Sequence, residues 1–322
     1  MSPETISRPL PNQVRIVEVG PRDGLQNIKH PIPTSTKIEL IRRLYSAGLQ
    51  TIELTSAVSP KAVPQLSDNQ EVLGSTAIQS LLEDPTLDLP VLVPNKRGLE
   101  TALRHGVREI AVFVSATEGF SRANNNCGVA ESLSRARQVA EICHTSGVRV
   151  RGYLSCVFTD PYDGPTSHSD VLHGVRELLT MGCYEVSLGD TLGTGTASDV
   201  RNLFNYLFNN DIPVDRLAGH FHDTYGQAVV NVVEAYKLGI RSFDSSVGGL
   251  GGCPFAPGAK GNVATEDLVY LFHRAGVETG VDLKMVAEIG VWISRELGRR
   301  NESRVGTALS EDCQVFHPEA NL

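Results

Sequence analysis

Cysteine is scarce and scattered in this chain of 322 residues. Its six cysteines form no CxxC pair and no closely spaced framework, whereas zinc ribbons and small disulfide scaffolds both need such spacing. The cysteine pattern therefore excludes these two classes and predicts reduced thiols in an intracellular compartment.

Long apolar runs are missing as well. No stretch approaches the roughly 20 apolar residues needed to cross a bilayer, and the start MSPETISRPLPNQ resembles neither a signal peptide nor an Arg-rich transit helix. We expect no membrane partner and a cytoplasmic protein, with the peroxisome and the mitochondrion as alternative compartments. The final residues Ala320-Asn321-Leu322 loosely match a peroxisomal import signal, but chance is the better explanation.

Basic residues are in deficit: 29 Lys and Arg face 37 Asp and Glu, so the formal net charge is -8. Because nucleic-acid binding depends on clustered Lys and Arg, this balance argues against a nucleic-acid partner and favours a small-molecule substrate. Hydrophobic residues make up 41% of the chain. That is enough for a full core, and barrels of this length routinely form one domain.

Eight short β-rich segments alternate with amphipathic segments. The candidate strands begin at Val14, Thr51, Val91, Glu109, Val148, Tyr184, Leu217 and Arg241. Apolar residues recur at three- and four-residue spacing in the segments 37–47, 130–144, 171–181, 198–208 and 227–238. Eight such repeats predict an α/β fold, a single (β/α)8 TIM barrel. An open dinucleotide-binding sheet is disfavoured because GPRDGLQN after the first strand is not GxGxxG.

The repeats also predict the division of the chain. We place the barrel at residues 14–281, after an N-terminal extension of residues 1–13. Residues 282–298 carry apolar side chains at helical period, so we assign 282–322 to additional C-terminal helices and a tail.

Polar residues at the ends of the predicted strands are the candidates for chemistry, because barrel enzymes carry their active sites at that rim. The first strand ends in EVGPRDGLQN, which brings Arg22, Asp23 and Gln26 to the rim. A surface ion pair is the structural alternative. The second and sixth strands end near Glu53 and Asp190, carboxylates suited to orienting neighbouring groups or moving protons.

The seventh strand ends in HFHD, so His220 and His222 project to the same side. A pair of satisfied core histidines is the alternative, but two in register at the catalytic end favour metal ligation. Asp23 and Asn262 would add oxygen ligands, Asn262 from just before the last helix. This mixed oxygen and nitrogen set predicts Mg²⁺ or Mn²⁺.

A glycine-rich segment, SSVGGLGGCPFAPGAKGN, follows the eighth strand. It predicts a loop that can close over a ligand. From the residues alone, its Cys253 is equally a proton donor or a small filler.

The chain resembles the family of 3-hydroxy-3-methylglutaryl-CoA lyases, within the DRE-TIM group of barrel metallolyases, from about Val14 to Val281. The motifs that carry the resemblance are VRIVEVGPRDGLQN, IELTSAVSPKAVPQLSD, VRGYLSC, GCYEVSLGDTLG, HFHDTYGQA and VGGLGGCPFAPGAKGNVATEDLVY. The resemblance implies metal ligands at Asp23, His220, His222 and Asn262. It implies catalytic roles for Arg22, Asp23, Glu53, His220 and Cys253. Asp190 would stand in a supporting position, and Glu266 would hold Arg22.

The resemblance further implies cleavage of (S)-3-hydroxy-3-methylglutaryl-CoA to acetoacetate and acetyl-CoA, with an acyl-CoA as the small-molecule partner. A homodimer stays open. Arg22 would face the enolate oxygen and Cys253 would protonate the enolate carbon, while the base is Asp23 or a neighbouring group. The alternatives are a lyase for a longer branched 3-hydroxyglutaryl-CoA or citramalyl-CoA, an acyltransferase that condenses acetyl-CoA, and a non-catalytic barrel.

Overall fold

A ring of parallel strands forms the centre of the computed structural model, which describes residues 12–61, 63–252 and 260–310. Two short strands outside the ring, β7 (Thr159–Asp160) and β8 (Gly164–Pro165), pair as an antiparallel hairpin. The strands in chain order are β1 (Arg15–Glu18), β2 (Thr51–Ile52), β3 (Thr55–Ser56), β4 (Val91–Leu92), β5 (Glu109–Ser115), β6 (Arg149–Ser155), β7 (Thr159–Asp160), β8 (Gly164–Pro165), β9 (Val186–Asp190), β10 (Leu217–Phe221) and β11 (Ser242–Ser245).

The ring closes at its second position, where β2 and β3 are two halves of one interrupted strand. The sheet order is β2-β1-β11-β10-β9-β6-β5-β4-β3, so these halves form its two ends. Between them, the Glu53 N–H donates to the Glu18 carbonyl at 2.9 Å on one side, and the Leu54 N–H donates to the Pro90 carbonyl at 3.0 Å on the other. The interrupted strand therefore bonds to both neighbours, and the predicted (β/α)8 barrel is confirmed.

Helices cover the outside of the ring. They are α1 (Thr34–Ser46), α2 (Asn69–Gly74), α3 (Thr76–Glu83), α4 (Lys96–Arg104), α5 (Glu118–Asn125), α6 (Val129–Thr145), α7 (His168–Thr180), α8 (Ala197–Phe208), α9 (Ala228–Lys237), α10 (Thr265–Arg274), α11 (Leu283–Glu296) and α12 (Arg304–Leu309). The predicted helices are present with ends shifted by a few residues. Across the described ranges, none is both long and apolar enough to span a bilayer.

Successive side chains of a strand point to opposite faces, and in the middle of β5 both faces are apolar. On β5, Val112 belongs to the large core that also contains the buried helix faces. Ala111 belongs instead to a second cluster with Leu92 and Tyr153, against which Phe113 packs. We call these four residues the interior apolar cluster, because they occupy the inward-facing positions of β4, β5 and β6.

The predicted C-terminal helix is confirmed as α11. The Asp282 side chain accepts the Met285 N–H at the N-terminus of this helix, and Val286, Ile289 and Ile293 join the large core. Because α11 shares the core of the barrel, the boundary that we place between residues 281 and 282 stays a prediction.

Candidate metal centre

The first strand runs into a π-helical turn, Gly20–Gly24, whose five residues are all buried. The Asp23 N–H donates to the Val19 carbonyl at 2.7 Å. A Cβ atom at Gly24 would lie 2.9 Å from the Leu250 Cβ atom, so a larger residue would push the turn away from the segment after β11. This close approach holds Arg22 and Asp23 at the mouth of the barrel.

Asp23, His220 and His222 converge at this mouth. One ligand atom from each lies within 4.8 Å of the other two, and the Nε2 atoms of the two histidines are 3.3 Å apart. Asn262 donates from Nδ2 to Asp23 Oδ2 at 2.7 Å, while its Oδ1 atom is buried without a hydrogen-bond partner. An unpaired amide oxygen beside a carboxylate and two imidazole nitrogens fits a divalent cation. The four predicted ligands therefore lie together.

Backbone pairing brings Asn262 to the histidines. His222 and Asn262 form an isolated antiparallel bridge, and the Val263 N–H donates to the Phe221 carbonyl at 3.0 Å. The segment before α10 is thus bonded to the end of β10, which places a residue distant in sequence beside the HFHD motif.

Arg22 is held by two carboxylates. Its Nε atom donates to Glu53 Oε2 and its Nη1 atom donates to Asp23 Oδ1, both at 2.6 Å. Its guanidinium lies 5.2 Å from the centroid of the Tyr153 ring, and the Tyr153 hydroxyl donates to Glu53 Oε2 at 3.3 Å. Arg22 is 6% exposed and Glu53 is fully buried, so the alternative of a surface ion pair is wrong.

The protonation states of the cluster suit metal binding. Burial opposes ionisation of Asp23, but Arg22 and the two histidines hold the pKa of its carboxyl below the usual range. Burial, with a contribution from His220, lowers the pKa of His222 to about 4. A metal requires a deprotonated carboxylate and a neutral imidazole, and these are the forms that the site favours for Asp23 and His222.

Gln26 and Asp190 have different surroundings. Gln26 donates from Nε2 to Asp23 Oδ1 at 2.7 Å and belongs to the site. The Asp190 carboxylate accepts the N–H groups of Thr194 and Gly195 at 3.1 and 3.0 Å, and burial raises its pKa to about 6. Asp190 therefore shapes the loop after β9 through these bonds.

The prediction that Glu266 holds Arg22 is wrong. Glu266 lies in the first turn of α10, is fully buried, and accepts the Gly248 N–H at 3.0 and 2.9 Å with its two oxygens. Glu53 takes the position beside the arginine because the interrupted second strand runs next to β1. Glu266 instead anchors the start of the glycine-rich segment, where burial raises its pKa to about 8.

Cys253 lies outside the described residues, so its role stays a prediction. The segment is described up to Gly252, whose carbonyl accepts the Asn27 Nδ2–H at 2.6 Å. This bond ties the middle of the glycine-rich segment to Asn27, three residues after the turn that carries Arg22 and Asp23.

Asp244 on β11 is a residue of the site that sequence reasoning missed. Its Oδ2 atom lies 2.9 Å from His220 Nδ1, and Arg151 donates to its Oδ1 atom at 2.7 Å. Burial opposes ionisation, yet Arg151 and His220 hold the pKa of Asp244 well below its usual range. The available signal was an acidic residue inside the short strand RSFDSS.

A closed barrel with a candidate divalent-cation site at its mouth is the arrangement of a TIM-barrel metalloenzyme. A family model described as HMGL-like matches residues 13–293. The chain belongs to this family, the hydroxymethylglutaryl-CoA lyases and their relatives.

Two curated relatives are each half identical to the chain. A mitochondrial hydroxymethylglutaryl-CoA lyase of Arabidopsis thaliana is 50% identical over 308 residues, which cover 95% of this chain and 64% of that protein. A Pseudomonas aeruginosa protein named 3-hydroxy-3-isohexenylglutaryl-CoA/hydroxymethylglutaryl-CoA lyase is 50% identical over 300 residues, covering 93% of this chain and 98% of that protein.

Solved structures share the fold. A hydroxymethylglutaryl-CoA lyase from Pseudomonas aeruginosa matches with a TM-score of 0.88 at 50% identity, over 93% of this chain and 98% of that one. An HMG-CoA lyase from Acinetobacter baumannii, in complex with coenzyme A and 3-methylmalate, matches with a TM-score of 0.87 at 33% identity, over 96% and 98%.

Proposed function

We propose that this chain cleaves (S)-3-hydroxy-3-methylglutaryl-CoA to acetoacetate and acetyl-CoA, with Mg²⁺ or Mn²⁺ at Asp23, His220, His222 and Asn262. The observation that carries the proposal is the convergence of these four side chains beside the buried Arg22–Glu53 pair. The activity named for relatives at 50% identity supports the substrate.

The donor set supports the choice of metal. Asp23 and Asn262 offer oxygen atoms and the histidines offer nitrogen atoms, and no thiol of the described residues joins the cluster. Such a mixed set suits Mg²⁺ or Mn²⁺ better than a structural zinc ion. A divalent ion bound there supplies Lewis-acid activation of an alcohol and a template for its orientation.

The reaction removes the proton of the tertiary hydroxyl and breaks the C2–C3 bond. The electron pair of that bond forms the enolate of acetyl-CoA, and C3 becomes the ketone carbon of acetoacetate. Arg22 keeps its charge at any working pH and is fixed by Glu53 and Asp23, so it is preorganised to face the enolate oxygen. One of the carboxylates around Arg22 accepts the hydroxyl proton.

Protonation of C2 completes the reaction, and Cys253 is the proposed donor. Its place in the glycine-rich segment supports this role, because the residue before it, Gly252, is bonded to Asn27, three residues after the turn that carries Arg22 and Asp23. A segment rich in glycine can close over a ligand and exclude water.

Acetyl-CoA release from 3-hydroxy-3-methylglutaryl-CoA, followed with and without EDTA, tests the proposal. We expect turnover that EDTA abolishes and that Mg²⁺ or Mn²⁺ restores. His222→Gln should lose most of this activity, whereas His173→Gln, a change at an exposed residue of α7, should keep it. Turnover that ignores the chelator would refute the metal site, and absence of turnover with every metal would refute the substrate.

A lyase for a longer branched substrate is the second candidate. The name of the Pseudomonas aeruginosa relative pairs an isohexenyl-branched substrate with the methyl-branched one, and the interior apolar cluster offers an apolar surface near Arg22 through Tyr153. The kcat/KM values for the isohexenyl-branched and the methyl-branched thioester, measured side by side, decide which substrate this chain prefers.

A further inference from the structure

The side of His220 that faces away from the other proposed ligands is held by a buried ion pair. His220 Nδ1 lies 2.9 Å from Asp244 Oδ2. Asp244 is 1% exposed and Arg151 is fully buried. Both residues point into the barrel, Arg151 from β6 and Asp244 from β11, so a charge pair from two separate strands supports a residue on a third.

Asp244 is fixed by its other hydrogen bonds. Arg151 donates from Nη2 to Oδ1 at 2.7 Å and from Nη1 to Oδ2 at 3.3 Å. The Ser187 hydroxyl donates to Oδ2 at 2.7 Å, and Arg151 is itself held by Glu185 at 2.9 Å. With both oxygens engaged, the carboxylate cannot turn away from His220 without breaking a buried charge-assisted bond.

This arrangement selects one tautomer of the imidazole. A carboxylate paired with an arginine only accepts hydrogen bonds, so Nδ1 of His220 must carry the hydrogen. The Nε2 atom then keeps its lone pair and points toward Nε2 of His222, 3.3 Å away. A histidine whose far nitrogen donates to a carboxylate is both oriented and more basic toward a metal.

We propose that Asp244, clamped by Arg151, is the positioning residue that makes His220 a competent metal ligand. The inference rests on the proposed metal site. It adds a function for two residues on the inner wall of the barrel that would otherwise count as structural.

Mn²⁺ binding to the metal-free protein, followed by the EPR signal of the free ion, tests the proposal. Asp244→Asn keeps the shape of the side chain but ends the selection of the tautomer, so we expect the dissociation constant to rise about 10- to 100-fold. Excess Mn²⁺ should then restore much of the lyase activity. A purely structural role would lower stability without moving the metal dependence.

Glu109→Gln is the matched control. Glu109 is another carboxylate inside the barrel, 2% exposed, and it accepts the Tyr184 hydroxyl at 2.6 Å without contacting His220 or Asp244. We expect this variant to lose stability and keep the Mn²⁺ affinity of the wild type. Equal loss of affinity in both variants would overturn the proposal, because the effect would then follow from any lost interior charge.

A measurement on the wild-type chain decides the question if Asp244→Asn does not fold. Nitrogen-15 NMR of the metal-free protein should show the His220 hydrogen on Nδ1. The His220 signals are assigned by their absence from the spectrum of His220→Gln. A hydrogen on Nε2 alone would overturn the proposal. A wild-type chain with no Mn²⁺ affinity overturns the metal site and the inference together, whereas equal affinity in wild type and Asp244→Asn overturns the inference alone.

Discussion

Replacement of Glu266 by glutamine should remove a pH-dependent loss of stability. Glu266 is fully buried, and its carboxylate accepts the Gly248 N–H without a cationic partner among the described residues. Burial is the largest influence and raises the pKa of this carboxyl from 4.5 to about 8. The folded protein therefore holds a proton that the unfolded chain releases at lower pH.

The direction of the pH dependence follows because the pKa of Glu266 is higher in the folded protein than in the unfolded chain. Below the unfolded pKa of 4.5 the group is neutral in both states, and its burial costs little. As the pH rises toward about 8, only the unfolded chain ionises, so the free energy of unfolding falls. One pKa unit corresponds to ~1.4 kcal/mol. The difference between the folded and unfolded pKa values therefore limits the loss of unfolding free energy to about 5 kcal/mol, and water that reaches the carboxyl makes the loss smaller.

Urea unfolding of the metal-free wild type and of Glu266→Gln, at several pH values across this window, measures the effect. The stability of the variant relative to the wild type should increase with pH, by at least ~1.4 kcal/mol for one pKa unit. Burial raises the pKa of Asp190 to about 6, but Asp190 is present in both proteins and its contribution cancels. Burial also raises the pKa of Glu18 to about 7, and the Glu18 charge helps to raise the pKa of Glu266, so the measured difference includes the interaction between these two carboxyls. A difference that does not change with pH would refute the reasoning. If instead the wild type loses stability relative to the variant as the pH falls, Glu266 has the arginine partner that the family resemblance implied.

Three further outcomes follow from the site. Arg22→Lys keeps the charge but loses the planar guanidinium fork. In steady-state kinetics of the proposed cleavage, kcat should therefore fall about 10²-fold with a smaller change in KM. A change in KM alone would contradict the role of Arg22 at the enolate oxygen. Removal of metal with EDTA should lower the melting temperature measured by calorimetry. Mn²⁺ added at about 100 times its dissociation constant should return about 2.7 kcal/mol of stability. A melting temperature that does not shift would count against the four proposed ligands. Phe113→Ala should favour a longer branched thioester over the methyl-branched one, because apolar pockets discriminate by about 1–3 kcal/mol per methylene. The kcat/KM for the longer substrate, divided by that for the methyl-branched one, should rise about 10-fold. An unchanged ratio would mean that Phe113 does not contact the branch of the substrate.

The barrel and its proposed ligands were predictable because their signals are local. Side chains alternate along a strand, so HFHD places its two histidines on one side wherever the strand lies. Asp23 lies in the turn just after the first strand, and the C-terminal ends of the strands meet at one rim of a barrel. The prediction of Asn262 required only that the segment before α10 return to the same rim. The backbone bridge between His222 and Asn262 confirms that placement.

The partners of these residues were not predictable, because they depend on register between strands far apart in sequence. His220 lies beside Asp244 since β10 and β11 pair with these two residues opposite each other. A shift of two residues in that pairing would place a serine there instead. The assignment of Glu266 to Arg22 came from the family resemblance. It failed because matching motifs do not say which buried acid lies beside the arginine, a position that Glu53 takes.

The distribution of hydrogen bonds inside the barrel supports placing the proposed chemistry at one end. Toward the middle of the ring, Arg151 is bonded to Glu185 and Asp244, so the buried charges there are matched. At the mouth, Asn262 Oδ1 and Glu53 Oε1 are buried without partners. Each unmade hydrogen bond costs about 1–3 kcal/mol, which the rest of the fold must offset. A ligand that brings a cation and a hydroxyl group to the mouth would supply the missing partners, so the unpaired atoms mark where substrate and metal are expected to bind.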